Sequence, residues 1–309
     1  MIELFARSQA MREAVNLAER VSVTASTVLI TGESGAGKDA LAVFIHGNSP
    51  RANQPFVKID CATLPAPLLE AELFGYERGA FTGANESKPG RLEAANKGTI
   101  VLDEVAHLSI DAQAKLLRVI EEREFERLGG RNTIKLDVRL LALTNVNLDD
   151  AARLRAFRAD LFFRLNVIQI HVPPLREREA DLSQLVKHFV RHYSRKHVRP
   201  VRGITAAGLE TLAAYDFPGN ARELANIVER AVIVAAGKKI DVDDLPNSVT
   251  SAVKTKRQRE HPRSLAELEA DYIREILTAT EGNKTECARI LGISRKNLYE
   301  KIARYGLRQ

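Results

Sequence analysis

At 309 residues and 45% hydrophobic content, the chain has room for about two domains of ~100 to 200 residues and a sizeable core. No apolar run approaches the ~18 residues of a membrane span, and the N-terminal MIELFARSQA lacks the basic start and continuous apolar stretch of a signal peptide. The two cysteines, Cys61 and Cys287, stand at neither metal nor redox spacing, so a reducing, cytoplasmic setting without a disulfide framework is expected. The net charge of +6 is uneven: residues 254–309 hold 13 Lys/Arg against 8 Asp/Glu, a net of +5. A polyanion partner for that end competes with a plain solvated tail.

In chain order, the first strand candidate is 27–31 (TVLIT). Directly after it Gly32, Glu33, Ser34, Gly35, Ala36, Gly37, Lys38 and Asp39 spell GESGAGKD, the P-loop pattern up to its last position, where Asp39 replaces the usual Ser or Thr. Glycines let such a loop curl so that backbone N–H groups and a helix N-terminus face phosphate oxygens, with Lys38 reaching the terminal phosphates. Taken alone, the segment also reads as a glycine-rich turn. A second strand candidate covers 56–60 (FVKID). Residues 76–90 (YERGAFTGANESKPG) then set Phe81 and Thr82 between glycines among loop residues, a setting no buried core requires.

The strand at 99–102 (TIVL) runs into Asp103 and Glu104. Acidic residues at the carboxyl end of a buried strand sit where open α/β sheets bind ligands, so Asp103 can hold Mg²⁺ and Glu104 can polarise a water; the competing reading is a pair of solvated strand-end carboxylates. Residues 111–122 follow helical spacing, and strands return at 139–144 (RLLALT), ending in Thr144 before Asn145, and at 167–171 (VIQIH). Between these, FRADLFFR carries Arg158 and Arg164, suited equally to a phosphoryl-transfer site or to ordinary salt bridges. Strands separated by helices predict a parallel sheet covered on both faces.

After Pro173 and Pro174 the pattern turns helical over 181–196, 205–215 and 220–236, a small helical subdomain. His188 and His192 stand at i and i+4, a zinc spacing, but lack a third ligand, and read as surface or packing residues. Residues 246–262 have clustered basic residues and little apolar periodicity, so a linker is expected. The last unit splits at Gly292, with Asn283 or Thr285 capping one helix and Ser294 the next. This helix-turn-helix leaves Arg295, Lys296, Asn297, Tyr299 and Lys301 on or near the outward face, suited to phosphates and base edges, although a basic dimerisation module has the same pattern. The division expected is therefore 1–172 for an α/β nucleotide-binding part, 173–245 for a helical lid, 246–263 for a linker and 264–309 for an all-α DNA-binding unit.

The P-loop, GAFTGA, LDE, FRADLFFRLNV, PPLRERE and FPGNARELANIVERAV, in this order, resemble the AAA+ domain of bacterial enhancer-binding proteins, the activators of sigma-54 RNA polymerase; the C-terminal helices resemble their Fis-type DNA-binding domain. The resemblance implies a P-loop ATPase fold with a helical lid, with ATP and Mg²⁺ as ligands. It implies phosphate binding by Lys38, Mg²⁺ at Asp103, water activation by Glu104, sensor I at Asn145, trans-acting arginines at Arg158 and Arg164, and sensor II at Arg222. It also implies ring hexamers or heptamers, contact of Phe81 and Thr82 with sigma-54 in the polymerase holoenzyme, and binding of upstream DNA by a paired C-terminal unit. An acidic residue after the P-loop lysine is common in the family, so Asp39 is no defect. Asp60 does depart, from an Asn that restrains the catalytic glutamate; a carboxylate cannot donate that bond. Nothing before Ile2 resembles a receiver domain, so a separate regulatory protein, constitutive activity or a fragment are all open. The other readings are a sigma-54-independent DNA-binding regulator whose AAA+ domain only oligomerises, and a motor for other protein substrates.

Overall fold

The computed structural model describes residues 4–260 and 264–307, with the side chains of Lys254 and 256–260 left aside. Residues 261–263 of the expected linker, and the outermost residues 1–3 and 308–309 of the expected end domains, lie outside the described residues. The described chain opens with α1 (Gln9–Ser22), whose Met11, Ala14, Ala18 and Val21 recur at helical spacing and are buried. It leads through β1 (Val28–Thr31) and α2 (Lys38–Gly47) to β2 (Phe56–Asp60) and α3 (Ala66–Phe74). A short antiparallel ribbon of β3 (Gly75–Tyr76) and β4 (Lys88–Pro89) precedes α4 (Arg91–Ala94) and β5 (Thr99–Asp103). Next come α5 (Ile110–Glu122) and a second antiparallel ribbon, β6 (Glu124–Glu126) with β7 (Thr133–Lys135), then β8 (Arg139–Thr144), α6 (Leu148–Arg153), α7 (Ala159–Leu165) and β9 (Ile168–His171).

The five long strands form one parallel sheet in the order β2-β5-β8-β1-β9. Its central strands are buried on both faces, which is why they read as continuous apolar runs rather than as an alternation. Leu29, Ile100, Leu102, Leu140 and Ala142 face one core with α3, α5 and α7. Val28, Ile30, Val101, Leu141 and Leu143 face the other, with α1 and α2. Arg139, 1% exposed at the start of β8, donates to the carbonyls of Val21 and Ser22. A cation on the carbonyls at the end of α1 fixes that helix against the sheet.

The lid consists of α8 (Glu179–Lys196), β10 (Gly203–Ile204), α9 (Ala206–Ala213), α10 (Asn220–Val234) and β11 (Lys239–Ile240). The structure divides after Pro246 into two compact units. The second contains α11 (Asn247–Glu260), α12 (Leu265–Ala279), α13 (Lys284–Ile290) and α14 (Arg295–Arg304). Most of the expected linker is thus helical: between Asn247 and Glu260 there is neither Gly nor Pro, and long unbranched side chains are good helix formers. Val249 and Val253, one turn apart, are buried. Among the described residues no helix is long and apolar enough to cross a membrane.

Candidate functional site

β1 delivers the chain to the turn at 32–37, and α2 begins on Lys38. Gly35 sits at φ 74°, and a Cβ there would lie 2.4 Å from the Gly219 carbonyl oxygen, so only glycine fits between this turn and the lid. Lys38 is 6% exposed; its ammonium donates to the carbonyls of Gly32 (2.9 Å) and Glu33 (3.3 Å) and lies 3.6 Å from Glu104 Oε1. Glu104 follows β5 in the left-handed region, at φ 52° and ψ 50°. Its other oxygen, Oε2, accepts from the backbone N–H of Asn145 at 3.1 Å, directly after β8. Because β8 lies between β5 and β1 in the sheet, three strand ends converge on one point and bring Lys38, Glu104 and Asn145 together. This is the carboxyl edge of a parallel sheet, where ligands of such folds bind.

Asp103 and Asp39 meet here through a residue that the motif pattern did not single out. Lys58 of β2 places its ammonium 2.7 Å from Asp103 Oδ2 and 2.5 Å from Asp39 Oδ1. Burial opposes its charge, but the bonds to Asp103 and Asp39 outweigh it and raise its pKa. Asp60, two residues on, turns its carboxylate onto the following chain and accepts from Ala62 N–H at 2.9 Å. Cys61, next to it, is buried, and burial with the nearby charges of Asp60, Asp103 and Glu104 pushes its thiol up to about 12. That thiol stays protonated and is no nucleophile.

The lid closes on the P-loop through side chains far away in sequence. Arg176 grips Glu33 with two bonds, at 2.7 and 2.9 Å, and the fully buried Asn220 donates to Glu33 Oε2 and to the Ser34 carbonyl, both at 3.0 Å. Asn220 Oδ1 also accepts from Leu175 N–H. Bonds from Arg176, then Asn220, hold the Glu33 carboxyl at about 2. Arg222, in the first turn of α10, reaches Ser34 Oγ at 3.0 Å, so the residue predicted as sensor II touches the loop itself. Beside this junction lies a cavity of about 420 Å³ lined by Leu4, Phe5, Met11, Ala40, His188 and His192. The two histidines therefore face a pocket at the P-loop turn, and among the described residues no group of metal-ligating side chains forms.

The GAFTGA segment is the tip of the β3–β4 ribbon. Gly79 N–H donates to Ala84 O and Ala84 N–H to Phe81 O, closing a tight turn that leaves Phe81 43% exposed and Thr82 exposed. The Phe81 ring rests edge-on against Tyr76, with centroids 5.0 Å apart. The loop between β6 and β7 braces the stem: Leu128 exchanges backbone bonds with Gly75 and Glu77, and Arg127 bonds both Glu77 and Glu93.

A P-loop turn, a docked lid and a protruding GAFTGA tip thus occur in one unit. The family described as Sigma-54 interaction domain matches residues 4–171, AAA+ ATPase lid domain matches 176–262, and Bacterial regulatory protein, Fis family, matches 264–305. The chain belongs to the sigma-54 activators. Regulatory protein AtoC of Escherichia coli (strain K12) is 44% identical to it, over 98% of this chain and 68% of AtoC. Nitrogen fixation protein VnfA of Azotobacter vinelandii is also 44% identical, over 98% of this chain and 59% of VnfA. Among solved structures, NtrX of Brucella abortus in complex with ATP matches with a TM-score of 0.77 at 34% identity, covering 99% of this chain and 70% of that one.

In this sigma-54 activator the two expected arginines lie apart from the P-loop contacts just described. Arg158 stands just before α7 and forks onto Asp160 at 3.1 and 2.7 Å; Arg164, in the last turn of α7, meets Glu121 at 2.7 Å. Both side chains are more than a third exposed, so the pairs are weak and open to exchange. In the Fis-type unit, Asn283 caps α13 and Ser294 caps α14, accepting from Asn297 N–H at 3.2 Å. Gly292, at φ 64°, makes the turn between them. Leu298 and Ile302 pack with Ile273, Ala288 and Leu291, which leaves Arg295, Lys296, Asn297 and Tyr299 exposed. Lys301 differs from the other four: half-buried, it bonds Glu269 Oε1 at 2.6 Å and braces α14 onto α12.

Proposed function

We propose that this sigma-54 activator binds ATP between P-loop and lid, hydrolyses it to ADP and phosphate, and uses the cycle to work its GAFTGA loops on the closed sigma-54 polymerase complex until promoter DNA opens. Glu104 takes the proton of the attacking water, and the bond from the γ-phosphorus to the bridging oxygen breaks. Lys38 and the N-terminus of α2 stabilise the charge that develops on the phosphate oxygens. The Asn145 N–H fixes the orientation of Glu104, and Arg222 and Arg176 carry the lid's response to the phosphates. Asp39 and Asp103 offer hard carboxylate oxygens that converge on one positive charge, now Lys58 Nζ; this donor chemistry suits Mg²⁺, which when bound neutralises charge on the β- and γ-phosphates. Arg158 and Arg164 act on the site of a neighbouring copy in a hexameric or heptameric ring. Arg295, Lys296, Asn297 and Tyr299, on the helix capped by Ser294, face upstream DNA.

The observation that carries this reading is the meeting of Lys38 and Glu104 at 3.6 Å in a unit whose Phe81 stays exposed at a ribbon tip. A domain that only oligomerised would need neither. The test is ATP-dependent open-complex formation by purified protein with sigma-54 holoenzyme on supercoiled template, wild type against Thr82→Ala. Wild type is expected to open the promoter. Thr82→Ala is expected to keep its ATPase within about twofold while losing at least about tenfold in opening, since an exposed turn residue contributes little to folding. Hydrolysis by wild type without any opening would instead favour a regulator that acts without sigma-54.

A further inference from the structure

Lys58 belongs to none of the motifs, yet its ammonium joins three elements: β2, which carries it, α2 through Asp39, and β5 through Asp103. It occupies the point between two carboxylates where the ATPase reading puts Mg²⁺. An ammonium and a divalent cation cannot share that point, because two cations in contact repel each other strongly. On the other side, Lys58 lines a cavity of about 570 Å³ that Asp60, Tyr76 and Phe81 also line. Lys58 and Asp60, two residues apart on β2, point to the same face of the strand. The four-carbon stem of a lysine lets the ammonium swing without backbone movement.

We infer that Lys58 is a positioning residue that couples the metal site to the GAFTGA loop: it pairs with Asp39 and Asp103 until Mg²⁺ enters with nucleotide, then turns toward Asp60 in the cavity beside Phe81. This inference rests on the ATPase reading. It gives the unusual carboxylate at position 60 a task that an asparagine would fill less well, as the acceptor for a displaced cation. Because Tyr76 and Phe81 line the same cavity and touch edge-on, a charge arriving there alters the surroundings of the loop tip directly.

The chain has no tryptophan, so Phe81→Trp gives a single fluorescent reporter at the tip. Two quantities are measured on the full chain with Lys58, Lys58→Met and Lys58→Arg: Mn²⁺ affinity of the nucleotide-free protein by electron paramagnetic resonance, and, in the Phe81→Trp background, the change in tryptophan emission on adding Mg²⁺ and ADP. Lys58→Met is expected to bind Mn²⁺ roughly tenfold more tightly and to lose at least about half of the emission change. Lys58→Arg, which keeps the positive charge between the two carboxylates, is expected to stay within about twofold of wild type in Mn²⁺ affinity and to keep most of the emission change. A purely structural strut would give Lys58→Met weaker or equal Mn²⁺ binding, and either result overturns the displacement. With ADP binding measured separately by equilibrium dialysis, an emission change absent from the ADP-bound Lys58 protein, or fully kept in Lys58→Met, overturns the coupling to the loop. Failure of the Lys58 protein to bind ADP would count against the ATPase reading instead, and the Mn²⁺ titration would still decide the role of Lys58.

Discussion

Glu104 is held in the left-handed region, where a residue with a Cβ gives up on the order of 1 kcal/mol. The strain is offset locally by the Asn145 N–H on Oε2 and by the charge of Lys38 near Oε1. What the glutamate lacks is a donor from β2, because Asp60 is acceptor-only when ionised and already spends Oδ1 on Ala62 N–H. An amide at this position could donate to Glu104 and hold it away from water. Asp60→Asn is therefore expected to lower basal ATP turnover by about two- to tenfold, a shift of about one hydrogen bond's net worth, and to make turnover depend more on polymerase. Steady-state phosphate release with and without sigma-54 holoenzyme checks this; unchanged turnover and unchanged polymerase response would remove the idea.

At the scale of elements, the lid is latched to the P-loop by Arg176, Asn220 and Arg222 on residues 33–34. The Glu33 carboxyl titrates at about 2 in the folded protein against an ordinary value of 4.5. A depressed carboxylate contributes stability that is complete above its unfolded value and lost as pH falls through the folded one. The melting-temperature difference between wild type and Glu33→Gln should thus stay level from neutral pH to about 5 and shrink between about 4.5 and 2. A difference that stayed constant down to pH 3 would show that the latch does not depend on this charge. Such contacts were not legible in the sequence, since Arg176 meets Glu33 across 143 positions and Asn220 across 187, and local periodicity carries no information at that range. The five sheet strands were legible to within a residue because the three central ones are apolar runs buried on both faces, while the edge strands β2 and β9 are still short runs rich in β-branched and apolar residues. The two ribbons were not: strands of two or three residues leave no period to read, and they are braced by distant backbone bonds, as between Gly75 of β3 and Leu128 of the β6–β7 loop. Lys58 escaped for a similar reason, being a lone lysine in an apolar strand whose partners come from α2 and β5. The P-loop, the acidic strand end and both capped C-terminal helices were legible because their chemistry is confined to a few consecutive residues.

At the scale of the whole molecule, one chain holds a P-loop turn and, elsewhere on its surface, two arginines paired with Asp160 and Glu121. Exposed pairs of this kind are weak enough to exchange partners for a phosphate. If the arginines serve a neighbouring copy, a head-to-tail ring repeats the same interface at every boundary, each combining the P-loop of one copy with the arginines of the next. Lys38→Ala and Arg158→Ala should each be inactive alone, one lacking the P-loop lysine and the other the trans charge, with losses on the order of 10³-fold for the arginine. Mixed in equal amounts, they should regain activity, because random assembly gives about a quarter of the boundaries an intact Lys38 opposite an intact Arg158. The measurement is ATPase rate against mixing ratio, with mixed rings verified by native mass spectrometry. A maximum near equal amounts places Arg158 in trans, whereas verified mixed rings with no regained activity would place its action within its own chain.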